Sequence, residues 1–344
     1  MIQEAQMLYL YVETPLHAGT GSGLSSIDLP IQRERTTQYP MIQGSGIKGK
    51  LRGAAEDFRE SLKGTDDKEA KRQDNIINAV FGTSPTNRSE DTRATGQAST
   101  PPQESAGALV VGDARLLLFP VRSLSGIFAY VTCEDILNRF SRDLKRGSDS
   151  NAVDWDGEIK VEEQQALVTT ASKVIIAEGD QKQLVLEEFS FNAESNKRVD
   201  TIAKWIADHA FPTGSEYAYW RSKIQSSLVI LTNDDFRDFV LYATEIITRI
   251  KLDRATKTVS KGALWTEEHL PTDTLLYVPL YATNARVNGN AEDHRKNGHS
   301  VLQAKEILGE VQTLEKRHLG YLQLGGDETV GRGIVRMHLG NDSK

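Results

Sequence analysis

The sequence is short of the features that mark secreted and membrane proteins. It has a single cysteine, Cys133, among 344 residues, which excludes an internal disulfide framework and a cysteine-based zinc cluster. The longest apolar runs, such as LLLF at 116–119, are far too short to span a bilayer. The N-terminal stretch also lacks the basic and apolar regions of a secretory signal. We therefore predict a cytoplasmic protein that has no contact with a membrane.

An overall excess of positive charge is missing as well. The formal net charge is −7, whereas proteins that bind nucleic acid without specificity usually carry a positive excess. The charge is unevenly distributed, because residues 33–52 hold five basic side chains against Glu34 alone and residues 56–104 hold clustered carboxylates. Since salt screens charges beyond about 8–10 Å, this pattern predicts an acidic body with one basic stripe that receives a polyanion.

Hydrophobic periodicity predicts an α+β fold with a largely antiparallel sheet, as in ferredoxin-like folds. Strands are predicted at 6–13, within 108–121 with a break or bulge at Gly112, and at 126–133; helices are predicted at 47–62, 199–211, 234–252 and 301–317. The polar stretch at 63–106 predicts an insertion or mobile loop, and 145–225 has a mixed pattern.

The stretch GSGIKGKLR at 44–52 fits most of a phosphate-binding P-loop, G-x-x-x-x-G-K, but has Leu51 where that motif has serine or threonine. A true P-loop also follows a buried strand, whereas the preceding residues include Pro40 and few apolar side chains. Without a convincing Walker-B aspartate either, the sequence argues against a nucleotide hydrolase.

The same stretch still has the local chemistry of an anion site. The small residues Gly44, Ser45 and Gly46 would let a phosphate approach free N–H groups at the start of a helix, where the helix dipole favours an anion. Lys48 and Arg52 lie four residues apart and therefore on one helix face. The alternative interpretation is a glycine-rich turn followed by solvated lysines.

Five motifs in a fixed order carry a family resemblance: HAG at 17–19, DLPIQRE at 28–34, PMIQGSGIKGKLR at 40–52, WTEEHLPTDT at 265–274 and GGDETVGRG at 325–333. Together they resemble the RAMP superfamily of CRISPR proteins, and specifically the backbone subunits of type III-B (Cmr) effector complexes. Each motif alone is weak, and their ordered co-occurrence over most of the chain is specific.

The resemblance implies one elaborated RRM-like (ferredoxin-like) domain over 1–344. Its additions would be insertions near 63–106 and 145–225, a β-hairpin thumb near 251–280 and a glycine-rich loop at 324–333. It also implies a subunit that stacks with further copies of itself along a CRISPR guide RNA, assembles with other Cmr subunits and cleaves complementary target RNA at regular intervals.

The resemblance further implies which residues contact RNA. Lys48, Lys50 and Arg52 would hold the guide backbone, and contacts of this kind fix position without reading sequence. The wider set of predicted RNA-binding residues is Arg33, Gly44, Ser45, Gly46, Gly325, Gly326 and Arg332. Within the glycine-rich loop, Gly331 and Gly333 would also permit close approach, either to RNA or to the core, and the alternative for this loop is a plain hairpin turn.

The thumb is expected to present Trp265, Leu270 and Pro271 at its tip. An apolar wedge of this kind can separate stacked bases at a cost of only a few kcal/mol. The alternatives are that these side chains pack back onto the body or against a neighbouring subunit.

Asp28 is the predicted catalytic residue and metal ligand. The family chemistry is attack of a 2′-hydroxyl on the adjacent phosphate, and a single carboxylate suits Mg²⁺ or another divalent cation that keeps most of its waters. His17 is a second candidate, and of the adjacent Glu267 and Glu268 only one can face the site in an extended segment. The alternative for Asp28 is an Asx-turn or a helix cap.

Two rival interpretations stay open. One is the type III-A counterpart of the same backbone class, and the other is a structural RNA-binding backbone without catalysis. A stand-alone nuclease is disfavoured, because no local cluster of carboxylates or histidines would form a self-contained metal site.

Overall fold

The architecture was analysed in a computed structural model, which describes residues 2–23, 26–83, 105–146, 159–178, 181–286, 301–317 and 320–340. The strands are β1 Glu4–Val12, β2 Met41–Ile42, β3 Leu109–Val111, β4 Ala114–Ser123, β5 Ile127–Cys133, β6 Gln165–Val168, β7 Ile175–Glu178, β8 Gln181–Leu186, β9 Phe189–Ser195, β10 Leu228–Leu231, β11 Glu245–Leu252, β12 Val259–His269, β13 Leu275–Ala282, β14 Tyr321–Gln323 and β15 Ile334–Leu339. The helices are α1 Gly44–Leu62, α2 Asp67–Phe81, α3 Glu134–Leu144, α4 Lys197–His209, α5 Ala218–Ser227, α6 Asn233–Tyr242 and α7 Ala304–Arg317.

The centre of the molecule is an antiparallel sheet in the order β15-β1-β13-β4. Along the chain these strands alternate with two helices as β1-α1-β4-β13-α7-β15, and helix α7 contacts α1, β1 and β13. This is the strand order and helix placement of a ferredoxin-like fold. The predicted core is therefore confirmed.

Strand β1 lies in the middle of this core. It pairs with β13 on one side and β15 on the other, so that Leu8 stands opposite both Val278 and Leu339. The strand is buried from Met7 to Val12, which explains why its sequence is a nearly continuous apolar run rather than a strict alternation.

The described residues 159–178 and 181–231, which include most of the predicted insertion at 145–225, extend the sheet. From β4 onward the order continues as β5-β10-β6-β9-β8-β7, with β10 parallel to β5 and β6 parallel to β9. Helices α4 and α5 contact each other, α4 also contacts β6 and β10, and α5 contacts β5. The insertion is thus part of the sheet rather than a separate body.

The expectation of a mobile loop at 63–106 is wrong for its first part. Helix α2 occupies Asp67–Phe81 and buries an apolar face that includes Ile76, Ile77 and Val80. Its N-cap is Asp66, whose side chain accepts a hydrogen bond from the Glu69 N–H. The adjacent carboxylates Asp66 and Asp67 therefore mark the start of a helix. The rest of the predicted loop, 84–104, lies outside the described residues.

The single helix predicted at 234–252 is also wrong in its second half. Helix α6 begins after the N-cap Thr232, ends at Tyr242 and is followed directly by β11. The strand contains Ile246, Ile247 and other β-branched residues, which favour extended structure, and tertiary pairing with β12 overrides the apparent helical continuation.

Strands β11 and β12 form a two-stranded arm. Its turn is at 253–258, where the Asp253 carboxylate accepts hydrogen bonds from the Ala255 and Thr256 N–H groups. The predicted tip at Trp265, Leu270 and Pro271 is therefore wrong. Leu270 is buried and exchanges backbone hydrogen bonds with Leu16 at the base of the arm.

None of the helices in the described part of the chain combines the length and the apolar character needed to cross a bilayer.

Candidate functional site

The base of the arm is held from two sides. Strand β12 pairs with β11 along one edge. Along the other edge, Leu29 donates to the Thr266 carbonyl and accepts from the Glu268 N–H, both at 3.0 Å. A segment from the N-terminal part of the chain therefore runs beside β12, and it places Asp28 level with Thr266.

Asp28 is an exposed carboxylate with one oxygen in use. Its Oδ2 accepts hydrogen bonds from the Thr266 N–H at 2.8 Å and the Thr266 hydroxyl at 3.0 Å. Its own N–H donates to the same hydroxyl at 3.0 Å. No other described residue donates to the carboxylate, so Oδ1 is available to a cation or a hydroxyl group. The hydrogen bonds to Thr266 give Asp28 a structural role, and its Oδ1 can in addition take part in catalysis.

Glu267 and Glu268 point to opposite faces of β12, as expected for neighbours in a strand. Glu268 is buried, and its carboxylate accepts from the Ile31 N–H at 3.0 Å, the Thr244 hydroxyl at 2.9 Å and the Arg33 guanidinium at 2.5 Å. Its acceptors are filled inside the protein, which leaves it no role in a site open to RNA.

Arg33 is the partner that neutralises Glu268. Its side chain is 13% exposed and also donates to the Gln38 and Val240 carbonyls. The guanidinium is committed to internal acceptors, so the predicted RNA contact of Arg33 and the predicted catalytic role of Glu268 both give way to a buried ion pair that fixes the arm to the body.

On the other face of β12, Glu267 and His269 meet Asp327 of the glycine-rich loop. The His269 Nε2 atom lies 3.9 Å from a carboxylate oxygen of each. The Arg249 guanidinium on β11 lies 3.5 Å from Glu267 and 3.8 Å from Asp327. Glu267 is oriented by Trp265, whose indole N–H donates to its Oε1 at 2.7 Å. The predicted thumb residue Trp265 therefore acts at the base of the arm.

His17 lies beside this group. Its Nδ1 is 2.7 Å from the Glu268 carbonyl oxygen, and its ring centroid is 5.4 Å from that of His269. Burial, together with the neighbouring His17 and Arg332 side chains, lowers the pKa of His269 from 6.5 to about 4. The His269 imidazole is thus neutral at neutral pH.

The glycine-rich loop is fixed against the His17 segment. The Gly326 N–H donates to the His17 carbonyl at 2.9 Å. A Cβ at Gly325, where φ is +79°, would lie 2.1 Å from that same oxygen, and a Cβ at Gly333 would lie 1.9 Å from the Leu324 carbonyl. The sequence predicted that these glycines allow close approach either to RNA or to the core. At Gly325 and Gly333 the close approach is to the protein core.

The N-terminus of α1 differs from the predicted anion site. The Gly44 N–H donates to the Asp113 carboxylate at 2.8 Å, and a Cβ at Gly44 would lie 2.4 Å from the Val111 carbonyl. A carboxylate of the protein itself occupies the place predicted for a phosphate at Gly44. Gly46, in the same first turn, and Ser45 are exposed.

The basic residues of α1 point in two directions. Lys48 donates to the Leu109 carbonyl at 2.8 Å, and Arg52 donates to the Gly82 carbonyl and to Glu56. Burial and the neighbouring Arg52 charge lower the pKa of Lys48. Lys50 projects towards the glycine-rich loop, 3.6 Å from Glu328, with 42% of its side chain exposed. Lys48 and Arg52 thus share a face, as predicted, and Lys50 lies apart from them.

Beside Lys48 is an open pocket of about 590 Å³, whose lining includes Ser45, Thr83, Ser105 and Arg286. The N-terminal part of α1, the polar side chains and the basic residues Lys48 and Arg286 meet in this pocket.

Sequence reasoning missed His269, Asp327 and Arg249. The spacing of Glu267 and His269 on a strand places both on one face, which was a usable signal. Asp327 and Arg249 reach the group only through tertiary contacts, so the fold assembles a cluster that the sequence does not display.

Comparison with known proteins agrees with the fold. The sequence model of the RAMP superfamily matches residues 9–336. The chain is 35% identical, over 98% of its length and 96% of the relative's, to the CRISPR system Cmr endoribonuclease Cmr4 of Pyrococcus furiosus. It superposes on the crystal structure of oligomeric Cmr4 from Pyrococcus furiosus with a TM-score of 0.63 and 31% identity, covering 99% of both chains. A chain of the type III-B Cmr-beta complex bound to cognate target RNA shares the fold, with a TM-score of 0.59, 21% identity and 98% coverage of both chains.

Proposed function

Because this chain belongs to the RAMP superfamily, we propose that it is the repeated endoribonuclease subunit of a type III-B Cmr complex. It binds a CRISPR guide RNA together with further copies of itself and other Cmr subunits, and it cuts the complementary target RNA. The observation that carries this proposal is the similarity to a Cmr endoribonuclease along almost the whole chain. A complex that acts on transcripts is expected in the cytoplasm.

Asp28 is the proposed catalytic residue. Asp28 is exposed, so its Oδ1 can orient the 2′-hydroxyl of a target nucleotide or hold a divalent cation, while Oδ2 stays bound to Thr266. The 2′-oxygen attacks the adjacent phosphorus and gives up its proton to a water molecule. The bond to the 5′-oxygen of the next nucleotide breaks and that oxygen takes a proton from water, which leaves a 2′,3′-cyclic phosphate and a 5′-hydroxyl. A cation bound at Oδ1 would stabilise the charge that develops on the phosphate.

His17 is proposed to hold the base of the arm against the glycine-rich loop, beside His269, rather than to take part in cleavage at Asp28. Its Nδ1 is engaged with the Glu268 carbonyl, which fixes the ring at the junction of β12 and the glycine-rich loop. Glu267 lies on the face of β12 opposite the Thr266 side chain that Asp28 binds. We therefore place Asp28 alone among the acidic residues at the scissile phosphate.

Guide binding is proposed along α1. A Cβ at Gly46, Gly49 or Gly53 would have no neighbour within 4 Å, so this helix face is open enough for a phosphate backbone to lie against it. Lys50 supplies an accessible charge, and Lys48 and Arg52 line the side towards Leu109. Such contacts position RNA without reading its sequence, which suits a complex whose specificity comes from base pairing.

The arm is proposed to interrupt the guide–target duplex. The exposed apolar side chains towards its true tip are Ile250, Leu252, Val259 and Leu264. They replace Leu270 and Pro271 as the wedge between bases, because Leu270 is buried.

The test uses the subunit assembled with its partner proteins and a guide RNA, and end-labelled complementary target. With Mg²⁺ present, Asp28→Asn is expected to reduce cleavage by at least about 100-fold and to leave target binding intact. Asp234→Asn, a change at an exposed carboxylate on α6 with 85% side-chain exposure, is the matched control and should cut normally. A ladder of evenly spaced products that disappears in EDTA supports the proposed metal.

A purely structural backbone is the second candidate, because Asp28 already has a structural partner in Thr266. It would be supported by an intact target that stays bound to the wild-type complex. Normal cleavage by Asp28→Asn would remove the catalytic assignment and leave the endoribonuclease activity to other residues.

A further inference from the structure

We propose that Glu267, His269 and Asp327 form a binding site for a transition-metal ion of the Mn²⁺ or Zn²⁺ class, separate from Asp28, that links the arm to the glycine-rich loop. This inference goes beyond the proposed cleavage reaction, because it concerns the opposite face of β12. It would stand even if the ion took no part in catalysis.

The three side chains have the spacing of metal ligands. One ligand atom from each lies within 4.8 Å of the others, and the His269 Nε2 atom is 3.9 Å from Glu267 Oε2 and from Asp327 Oδ2. Metal–ligand bonds of about 2.0–2.2 Å place neighbouring ligands roughly 3 to 3.5 Å apart. The two 3.9 Å distances from His269 would have to shorten by roughly half an ångström. A separation as large as the 4.8 Å limit would have to shorten by somewhat more than about 1 Å.

Unpartnered buried atoms are the second and independent observation. Glu267 is 4% exposed and His269 is fully buried. Within the part of the chain that the structure describes, Glu267 Oε2 and both ring nitrogens of His269 have no hydrogen-bond partner. Buried polar atoms are normally paired, so atoms left free around one point indicate a ligand that completes them.

The surrounding groups hold these ligands in place. Trp265 fixes Glu267 through Oε1 and leaves Oε2 facing the other ligands. Asp327, in a left-handed conformation at φ +60°, belongs to a loop that is fastened to the His17 carbonyl. Outer hydrogen bonds of this kind orient ligands in metal sites and contribute to affinity.

Arg249 is the competing cation. Its guanidinium is 3.5 Å from Glu267 and 3.8 Å from Asp327, distances at which it forms ion pairs but fills no hydrogen bond to Glu267 Oε2. The side chain is 27% exposed, so it can move outward when an ion binds. If instead Arg249 is the permanent counter-ion, no metal should bind.

The donor set decides the class of metal. One imidazole and two carboxylates suit Zn²⁺, Mn²⁺ and related ions. Mg²⁺ prefers an all-oxygen octahedral shell with several waters, so it is a poor match for His269. The expected ligand is therefore different in class from the cation proposed at Asp28.

The experiment measures metal binding to the full-length chain alone, without RNA or partner subunits. After removal of metals with EDTA and dialysis, MnCl₂ and ZnCl₂ are titrated by calorimetry. Wild-type protein should bind about one equivalent of Mn²⁺ or Zn²⁺. Asp327→Asn and His269→Gln should weaken this binding at least tenfold, with the loop variant Asp327→Asn reporting even if the buried His269 substitution impairs folding.

Two control variants make the result specific. Glu328→Gln changes the neighbouring exposed carboxylate, and Asp234→Asn changes an exposed carboxylate on α6, so both should bind like wild type. Wild-type protein that binds neither ion, or Asp327→Asn that binds as tightly as Glu328→Gln, would overturn the inference. Because no cleavage is measured, failure here leaves the proposed function untouched.

Discussion

The charge of Arg33 suggests an RNA contact, whereas its ion pair with Glu268 shows that its role is structural. Arg33 belongs to the basic stripe of the sequence, yet its guanidinium lies 2.5 Å from a Glu268 carboxylate that is 3% exposed. Removing one member of a buried pair leaves an uncompensated charge and costs about 3–5 kcal/mol. The pair therefore stabilises the arm base and is not available to a phosphate.

Replacing Arg33 by methionine should accordingly lower the free energy of unfolding by about 3 kcal/mol, as measured by urea denaturation. Arg35→Met is the matched control, since Arg35 is exposed, and should change stability by less than about 0.5 kcal/mol. A stable Arg33→Met protein with reduced RNA affinity would contradict the structural assignment.

At the residue scale, sequence patterns located only part of the site. Asp28, His17 and Glu267 could be proposed because a family motif surrounds each of them. Glu268 could not be distinguished from Glu267, because its role depends on Arg33 and Ile31, more than 200 positions earlier in the chain. Asp327 also lies in a family motif, but only tertiary contacts place it beside Glu267 and His269, and Arg249 lies in none of the motifs.

Helix α1 is the element in which glycine has two different tasks. Gly44 is buried against the Val111 carbonyl, whereas Gly46, Gly49 and Gly53 face open space. A glycine inside a helix costs roughly 0.5–1 kcal/mol relative to alanine. Three open glycines therefore lower the stability of the isolated subunit without any packing reason.

Alanine at Gly46, Gly49 and Gly53 should raise the free energy of unfolding, by up to about 1 kcal/mol for each residue, and should weaken RNA binding. The expected loss arises because three methyl groups would hold a phosphate backbone away from the helix. Urea denaturation and fluorescence anisotropy with single-stranded RNA measure the two effects. Unchanged RNA affinity in the stabilised variant would exclude this face as the guide track.

Gly44→Ala is the opposite case on the same helix. Its Cβ would lie 2.4 Å from the Val111 carbonyl, so this variant should lose stability where the other three gain it.

The arm shows why element boundaries were harder to predict than element types. The residues from 243 to 252 can continue α6 by their spacing, but several are β-branched and their partners are in β12. Trp265 to Thr274 contains Pro271, which suggested a turn, whereas the actual turn is stabilised by Asp253.

Replacing residues 252–259 by Asn-Gly removes the tip of the arm together with two proposed wedge residues, Leu252 and Val259. The core should stay intact, because a two-residue type I′ turn can join paired strands. We expect the free energy of unfolding to change by less than about 1 kcal/mol. In the assembled complex the regular ladder of target fragments should be lost or become irregular. An unchanged ladder would show that the tip does not interrupt the duplex.

At the scale of the whole molecule, the resemblance predicted the ferredoxin-like core, and periodicity alone allowed other α+β folds. Strands β1, β4, β13 and β15 are adjacent in space although they are far apart in sequence. Their order is a property of long-range pairing, which a single sequence does not display. The continuation of the sheet by strands β6 to β9 could not be predicted for the same reason.

The number of basic residues that contact RNA phosphates should set the salt dependence of RNA binding. Each phosphate contact to single-stranded nucleic acid contributes a slope of about −0.7 in a plot of log K against log salt. Contacts from Lys48, Lys50 and Arg52 would therefore give a slope near −2 for one subunit.

Lys50→Ala should reduce the magnitude of that slope by about 0.7, and Lys71→Ala, an exposed lysine on α2, should not change it. Anisotropy titrations at several KCl concentrations measure the slope. Equal slopes for wild type and Lys50→Ala would remove Lys50 from the guide contacts.

The central place of β1 governs when this protein can fold during its synthesis. One edge of the strand stays unpaired until β13 (Leu275–Ala282) has been synthesised, and the other edge until β15 (Ile334–Leu339) has been synthesised. An apolar strand with unpaired edges is a template for aggregation, so the nascent chain carries this hazard through most of translation. A chain released before β15 is made would leave one edge of β1 unpaired and able to pair with another chain. Synthesis of β15 therefore protects β1 from aggregation.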